Sequence, residues 1–216
     1  MIIDAIIPAH NEAPRIQAVV RAVLASGAVR RTLVVDDGST DGTALVAERA
    51  GAEVLRLSPN RGKGQAMKAA VDSCPSADAI LFVDADLKDF GPEHVRLLCS
   101  VARQGYGMVC GLRDYGAMRN LLQWATPIIT GERVVRRDVL AQVPWDCWNG
   151  YSIEVAINHT AGKLGSTVCL VPLTGVNIYD KHAKFGWWKG TAQFVKMFAQ
   201  VHSAKVCLAR NGSCTA

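Results

Sequence analysis

The 216-residue chain has no apolar run near the ~18 residues that a membrane-spanning helix requires. That absence argues against an integral membrane protein. It also lacks a basic leader and a cleavage site, so MIIDAIIPAHNE, with Asp4 inside it, reads as a first strand and not a signal peptide. No two cysteines form a CxxC pair. The seven present (Cys74, Cys99, Cys110, Cys147, Cys169, Cys207 and Cys214) are an odd number, so free, mostly buried thiols in a reducing cytoplasm are expected. There is no internal repeat, low-complexity stretch or linker, which favours one domain over residues 1–216. No G-x-G-x-x-G follows a strand, and the Gly-Lys pair at 62–63 lacks the other residues of a Walker A loop. A dinucleotide-binding Rossmann domain and a P-loop are both disfavoured. Finally, residues 181–216 contain six Lys or Arg and no acid, whereas the preceding 180 residues carry a net charge of −1. A near-neutral body with a basic tail suits an anionic partner: phosphate, a lipid surface or nucleic acid.

With 50% apolar and 20% charged residues, the composition is that of a globular chain. Its first half alternates short apolar runs with helical periodicity. Strands are expected at 2–8, 32–36, 52–57, 79–84 and 107–111, and helices at 12–26, 41–50, 64–73 and 92–104. Such alternation implies an α/β fold with a doubly wound, mostly parallel sheet, which binds ligands beyond the carboxyl ends of its strands. Beyond residue 113 the rhythm breaks. Helices are expected at 113–126, 136–142 and 151–163, strands at 127–130, 167–171 and 175–179, and an amphipathic helix at 185–202.

Charged residues gather at the expected strand ends. The second strand leads into Val34-Val35-Asp36-Asp37-Gly38-Ser39-Thr40-Asp41. A carboxylate there can accept a hydrogen bond from a nucleobase or a ribose, while Thr40 or Asp41 caps the next helix. The fourth strand leads into Val83-Asp84-Ala85-Asp86-Leu87. Two carboxylates two residues apart, flanking one small residue, point the same way if the strand continues, and such a pair suits Mg²⁺ or Mn²⁺ shared with diphosphate oxygens. Between them lies Asn60-Arg61-Gly62-Lys63-Gly64, a cation in a Gly-rich loop that opens a helix, which is a natural phosphate contact. Arg133, Arg136 and Arg137 form a further basic cluster.

The ordered set IIPAHNE, VVDDGSTDGT, NRGKGQAMKAAV and ILFVDADL resembles the family 2-like glycosyltransferases of the GT-A fold. ITGERVVRRDVL is similar to their acceptor-side strand and helix, and GYSIEVAIN to their GY-x-x-E segment. GVNIYDKHAKFGWWKG resembles the variant in which a His after the last strand joins the DxD in holding metal. The resemblance implies a nucleotide-sugar-binding half over about 1–112 and an acceptor half over about 113–216. It implies that Pro8, Ala9 and Glu12 line the nucleotide, that Asp37 contacts the base, and that Lys63 contacts the base or diphosphate. Asp84 would contact the ribose or metal-bound water, with Ala85 beside it, and Asp86 would ligate a divalent cation with His182. Gly131, Arg133, Arg137 and Tyr151 would shape the acceptor site. Glu154 and Asp86 would be catalytic; if the acceptor is a hydroxyl, either Glu154 or Asp146, eight residues upstream, could serve as the base.

The function these readings imply is metal-dependent transfer of a sugar from a UDP- or GDP-sugar to a small hydroxylated or phosphorylated acceptor or a polyprenyl phosphate. The enzyme would be cytoplasmic, with peripheral membrane contact through the tail, where Phe185, Trp187, Trp188, Phe194 and Phe198 accompany the lysines. That same segment could instead be core or a homodimer contact. The alternatives are a DNA-modifying glycosyltransferase acting on a hydroxymethylated base, a nucleotidyltransferase, and a non-catalytic nucleotide-sugar-binding module.

Overall fold

Residues 1–113, 130–149 and 152–178 are described in the computed structural model. Strand β1 (Ile3–Ala9) sends Ile3, Ala5 and Ile7 into one core and Ile6 into another, the period of two that an extended chain imposes. It is buried on both faces because parallel neighbours flank it: β2 (Arg31–Asp37) on one side and β4 (Ala79–Phe82) on the other. β3 (Glu53–Leu57) continues the sheet past β2. On the far side come β7 (Arg133–Arg136), then β6 (Met108–Arg113), then β8 (Val168–Leu173), giving the order β3-β2-β1-β4-β7-β6-β8. β7 runs antiparallel to both β4 and β6, while β8 is parallel to β6. A second, two-stranded ribbon pairs β5 (Leu87–Lys88) with β9 (Asn177–Ile178), joining the chain just past Asp86 to the far end of the described residues.

Helices cover both faces, as parallel connections require. α1 (Ile16–Ala25), α2 (Thr43–Arg49) and α4 (Pro92–Ala102) supply Val19, Val20, Val23, Ala47, Val95 and Leu98 to the core that holds Ile7. α3 (Lys63–Asp72), α5 (Arg137–Ala141) and α6 (Ser152–Lys163) supply Met67, Ala70, Val139, Ile153 and Ile157 to the core that holds Ile6. Trp148, which follows a short 3-10 helix at Trp145–Cys147, is 1% exposed in that second core. No helix among the described residues is long and apolar enough to cross a membrane.

The α/β, mostly parallel architecture is the one expected from the sequence, with local corrections. The helix expected from Glu12 begins at Ile16, because Asn11 adopts a left-handed φ of 56° and the Glu12 carbonyl first closes a turn by accepting from Arg15 and Ile16 N–H. The fourth strand, expected to run to Asp84, ends at Phe82, and Ala85 and Asp86 form a turn. Asp84 and Asp86 therefore do not project from a continuing strand. The helix expected from Arg136 starts one residue later, after the β7 strand. The elements expected at 113–126, 127–130 and 185–202 lie wholly or almost wholly outside the described residues.

Candidate active site

The carboxyl ends of β1, β2, β4 and β6, together with the start of antiparallel β7, form one pole of the sheet, where a cluster of charge is assembled. α3 begins at Lys63, and the Lys63 Nζ donates to Asp84 Oδ1 and Glu154 Oε1, both at 2.8 Å. Burial pulls the Lys63 ammonium downward, but the Asp84 and Glu154 carboxylates outweigh it and hold its pKa above the usual lysine value. Lys63 therefore stays cationic. The Asp84 Oδ2 accepts from Arg113 Nη2 at 3.0 Å, so both oxygens of this carboxylate are held by cations. Arg113 in turn donates from Nε to Glu132 Oε2 at 2.7 Å and from Nη2 to Glu132 Oε1 at 3.2 Å. Thr130 Oγ1 lies 2.8 Å from both Glu132 Oε2 and the Gly111 carbonyl. Glu154, on α6, is 2% exposed, and its buried Oε2 has no hydrogen-bond partner among the described residues.

The positions of these groups follow from local structure. Gly64 lets the start of α3 press on the Trp148–Asn149 backbone, where a Cβ would come within 2.6 Å of the Asn149 nitrogen. Gln65 Nε2 donates to the Trp148 carbonyl at 2.9 Å. Gly131 plays the same part beside Asp84, since a Cβ there would overlap the Asp84 carboxyl. Asp86 and Asp84 are half-buried at the turn after β4, and Ala85 between them is 4% exposed.

A second group of residues joins the ends of β1 and β2. Pro8 and Ala9 close β1, with Ala9 in register with Asp36. Glu12 is 7% exposed, donates its backbone N–H to Thr43 Oγ1 and accepts from Arg15 through Oε2. Asp37 is 3% exposed, and its two oxygens accept the backbone N–H groups of Arg61 at 2.8 Å and Gly62 at 2.7 Å. The pair Asp37–Lys63 is thus linked through one loop: Asp37 fixes residues 61–62, and Lys63 follows. The expected cap shifts by one residue: Gly42 is the N-cap of α2, and Asp41 before it accepts the Thr43 N–H at 2.9 Å.

The acceptor-side residues divide. Gly131 is buried against Asp84 at the charged pole. Arg133 starts β7 opposite Phe82, but its guanidinium is 1% exposed and turned onto the Thr130 carbonyl, Asn158 Oδ1 and the Glu154 carbonyl. It braces α6 beneath Glu154. Arg137 is a correction. Because β7 runs antiparallel, the chain leaves the charged pole, and Arg137 reaches the opposite end of the sheet, donating to the carbonyls of Ala77, Val71 and Cys74. Arg136 pairs there with Asp138. Tyr151 and His182 lie outside the described residues.

Arg113 and Glu132 also belong to this cluster, although no motif of the sequence marks either as functional. Glu132 is 0% exposed. The one available signal was a charge ending the apolar run Met108–Leu112 and another beginning Val134–Val135.

The sequence profile of glycosyl transferase family 2 matches residues 4–158. The chain belongs to glycosyl transferase family 2. Glycosyltransferase AglJ of Haloferax volcanii is 30% identical over 187 residues, which are 77% of this chain and 60% of that protein. An undecaprenyl-phosphate 4-deoxy-4-formamido-L-arabinose transferase of Pseudomonas paraeruginosa is 32% identical over 52% of this chain and 36% of its own length. The chain therefore spans three-fifths of the first relative and about a third of the second. Among solved structures, glucosyl-3-phosphoglycerate synthase of Mycobacterium tuberculosis in complex with Mn²⁺, UDP and phosphoglyceric acid superposes with a TM-score of 0.76 at 25% identity. The match covers 94% of this chain and 78% of that one. The GT-A fold expected from the motifs is thus the fold observed, and family membership sets the nucleotidyltransferase alternative aside.

Proposed function

We propose that this family 2 chain transfers a sugar from a UDP-sugar to a phosphate-bearing acceptor, with Mn²⁺ or Mg²⁺. The observation that carries the reading is the Lys63–Asp84–Arg113 cluster beside Asp86 at the carboxyl pole, where α/β sheets bind ligands. The structural neighbour named above holds UDP and Mn²⁺ together, and it and the Pseudomonas relative both handle phosphate-bearing partners. The DNA-modifying and homodimer readings find no support in the relatives named.

The residues fit a divalent cation brought by a diphosphate. Asp84 has both oxygens engaged by cations, and Asp86, the second DxD carboxylate at the same turn, is the ligand assigned to the ion in this reading. Among the described residues, no group of three or more His, Cys, Asp or Glu is placed to hold a metal alone. A site made of one carboxylate and diphosphate oxygens suits Mg²⁺ or Mn²⁺. His182 is the second protein ligand implied by the resemblance. When bound, the cation would neutralise charge on the departing diphosphate.

In this reading the bond from the anomeric carbon to the diphosphate breaks, UDP leaves with the electron pair, and an acceptor oxygen bonds to that carbon. Lys63, kept cationic, adds a fixed positive charge near the leaving group. Asp37 holds the loop that carries Lys63, with Pro8, Ala9 and Glu12 walling the nucleotide side. Where the acceptor is a hydroxyl, Glu154 offers Oε2, which has no partner among the described residues, to take its proton. A phosphate acceptor is already anionic and needs no base. The test supplies UDP-glucose and Mn²⁺ with either 3-phosphoglycerate or undecaprenyl phosphate in vesicles, and detects UDP and glycosylated product by mass spectrometry. Product with either acceptor supports the reading. UDP-sugars that neither bind nor react in Mn²⁺, while GDP-sugars do, would overturn the choice of donor.

A further inference from the structure

We infer that Glu132 orients Asp84, acting through Arg113, so that a donor-side carboxylate is aimed from the acceptor half of the fold. The inference rests on the donor-site reading above, because it concerns how that site is held ready. Arg113 stands at the end of β6 with its guanidinium shared between two carboxylates, Glu132 and Asp84. A guanidinium is planar, so fixing Nε and Nη2 on Glu132 fixes the direction in which Nη2 meets Asp84. Asp84 is then gripped on Oδ2 by Arg113 and on Oδ1 by Lys63, and the bare backbone of Gly131 lies flat against its carboxyl group. A carboxylate held this way cannot rotate.

Joining β6 to β7 does not require this arrangement. Burying a carboxylate and a guanidinium carries a large desolvation penalty, and apolar residues of equal volume often stabilise as well or better. The backbones of β6 and β7 are already paired, and Gly111 N–H donates to the Glu132 carbonyl at 2.7 Å. What the charged pair adds is direction. It also keeps both oxygens of Asp84 bound to cations of the protein. Glu132 touches no substrate in this account and is a positioning residue.

A double-mutant cycle tests it, with UDP affinity in Mn²⁺ by calorimetry and Tm as parallel readouts. Glu132→Gln keeps the shape but removes the charge, and should weaken UDP by about tenfold. Asp84→Asn should weaken it by a similar factor. If Glu132 acts through Asp84, adding Glu132→Gln to Asp84→Asn changes affinity by less than about twofold, although Tm falls further. Affinity losses that multiply would overturn the inference and leave the donor site standing. If Asp84→Asn binds UDP as tightly as wild type, the donor-site reading fails and the inference fails with it. Should Glu132→Gln not fold, Arg113→Lys replaces it in the cycle. Its ammonium reaches one carboxylate and not both, and the same non-additivity is expected.

Discussion

Gly131→Ala is a one-methyl change whose effect can be worked out from contacts. The Gly131 backbone is outside the left-handed region, so alanine meets no torsional penalty there. The added Cβ would overlap the Asp84 carboxyl group, and Asp84 must move. It cannot move without lengthening its bonds to Lys63 at 2.8 Å or Arg113 at 3.0 Å. Loss of one charge-assisted bond from a buried partner costs about 1.5–3 kcal/mol. In a domain of this size that corresponds to a Tm lower by about 3–12 °C. The same displacement should weaken UDP binding in Mn²⁺, since it disturbs the proposed donor site. Gly162→Ala is the control: it lies in α6 with open space around it, and alanine there should stabilise by up to about 1 kcal/mol. Scanning fluorimetry and urea denaturation measure the first effect, and calorimetry the second. A Gly131→Ala protein with unchanged Tm and unchanged UDP affinity would refute the claim that Asp84 is fixed by this contact.

Asp37→Ala should weaken UDP by about 1–3 kcal/mol, because the Arg61 and Gly62 N–H groups lose their acceptor and the loop before Lys63 is freed; equal calorimetric affinities would contradict that. Burial pushes the Cys99 thiol up to about 11, so iodoacetamide at pH 8 should label half-buried Cys169 before Cys99, as peptide mass spectrometry can read. Burial raises the Asp41 pKa, but bonds from Thr43 and Ala13 outweigh it and lower it overall. A lowered carboxyl pKa contributes stability above the unfolded value of about 3.9 and loses it as pH falls through the folded value. The Tm difference between wild type and Asp41→Asn should therefore be constant from about pH 6 to 5 and shrink below about pH 4.

Much of the donor side was legible because local patterns and chemistry coincide there. Buried strands end in acids, glycines open the following helices, and the order of Asp37, Lys63 and Asp84 survives folding as a single pole. The acceptor side was harder for physical reasons. β7 has four residues, too few to show a period, and two of them are arginines, so its direction could not be read. That direction carries Arg137 to the end of the sheet opposite Asp84 and Lys63. Arg133 looked like a phosphate fork and is instead a brace under α6, since a carbonyl acceptor leaves no mark in sequence. Arg113 and Glu132 are 19 residues apart, and nothing local announces that two isolated charges will be buried together.

The most direct test of the account is calorimetric titration of UDP into the wild-type chain and into Asp86→Ala, each in Mn²⁺ and in EDTA. UDP and the cation are proposed to share one site, with Asp86 as the acid that holds the ion. Mn²⁺ should then tighten UDP binding to the wild type by about tenfold or more, and Asp86→Ala should lose that gain while keeping the affinity seen in EDTA. The same Mn²⁺ gain in the variant, or none in the wild type, would contradict it.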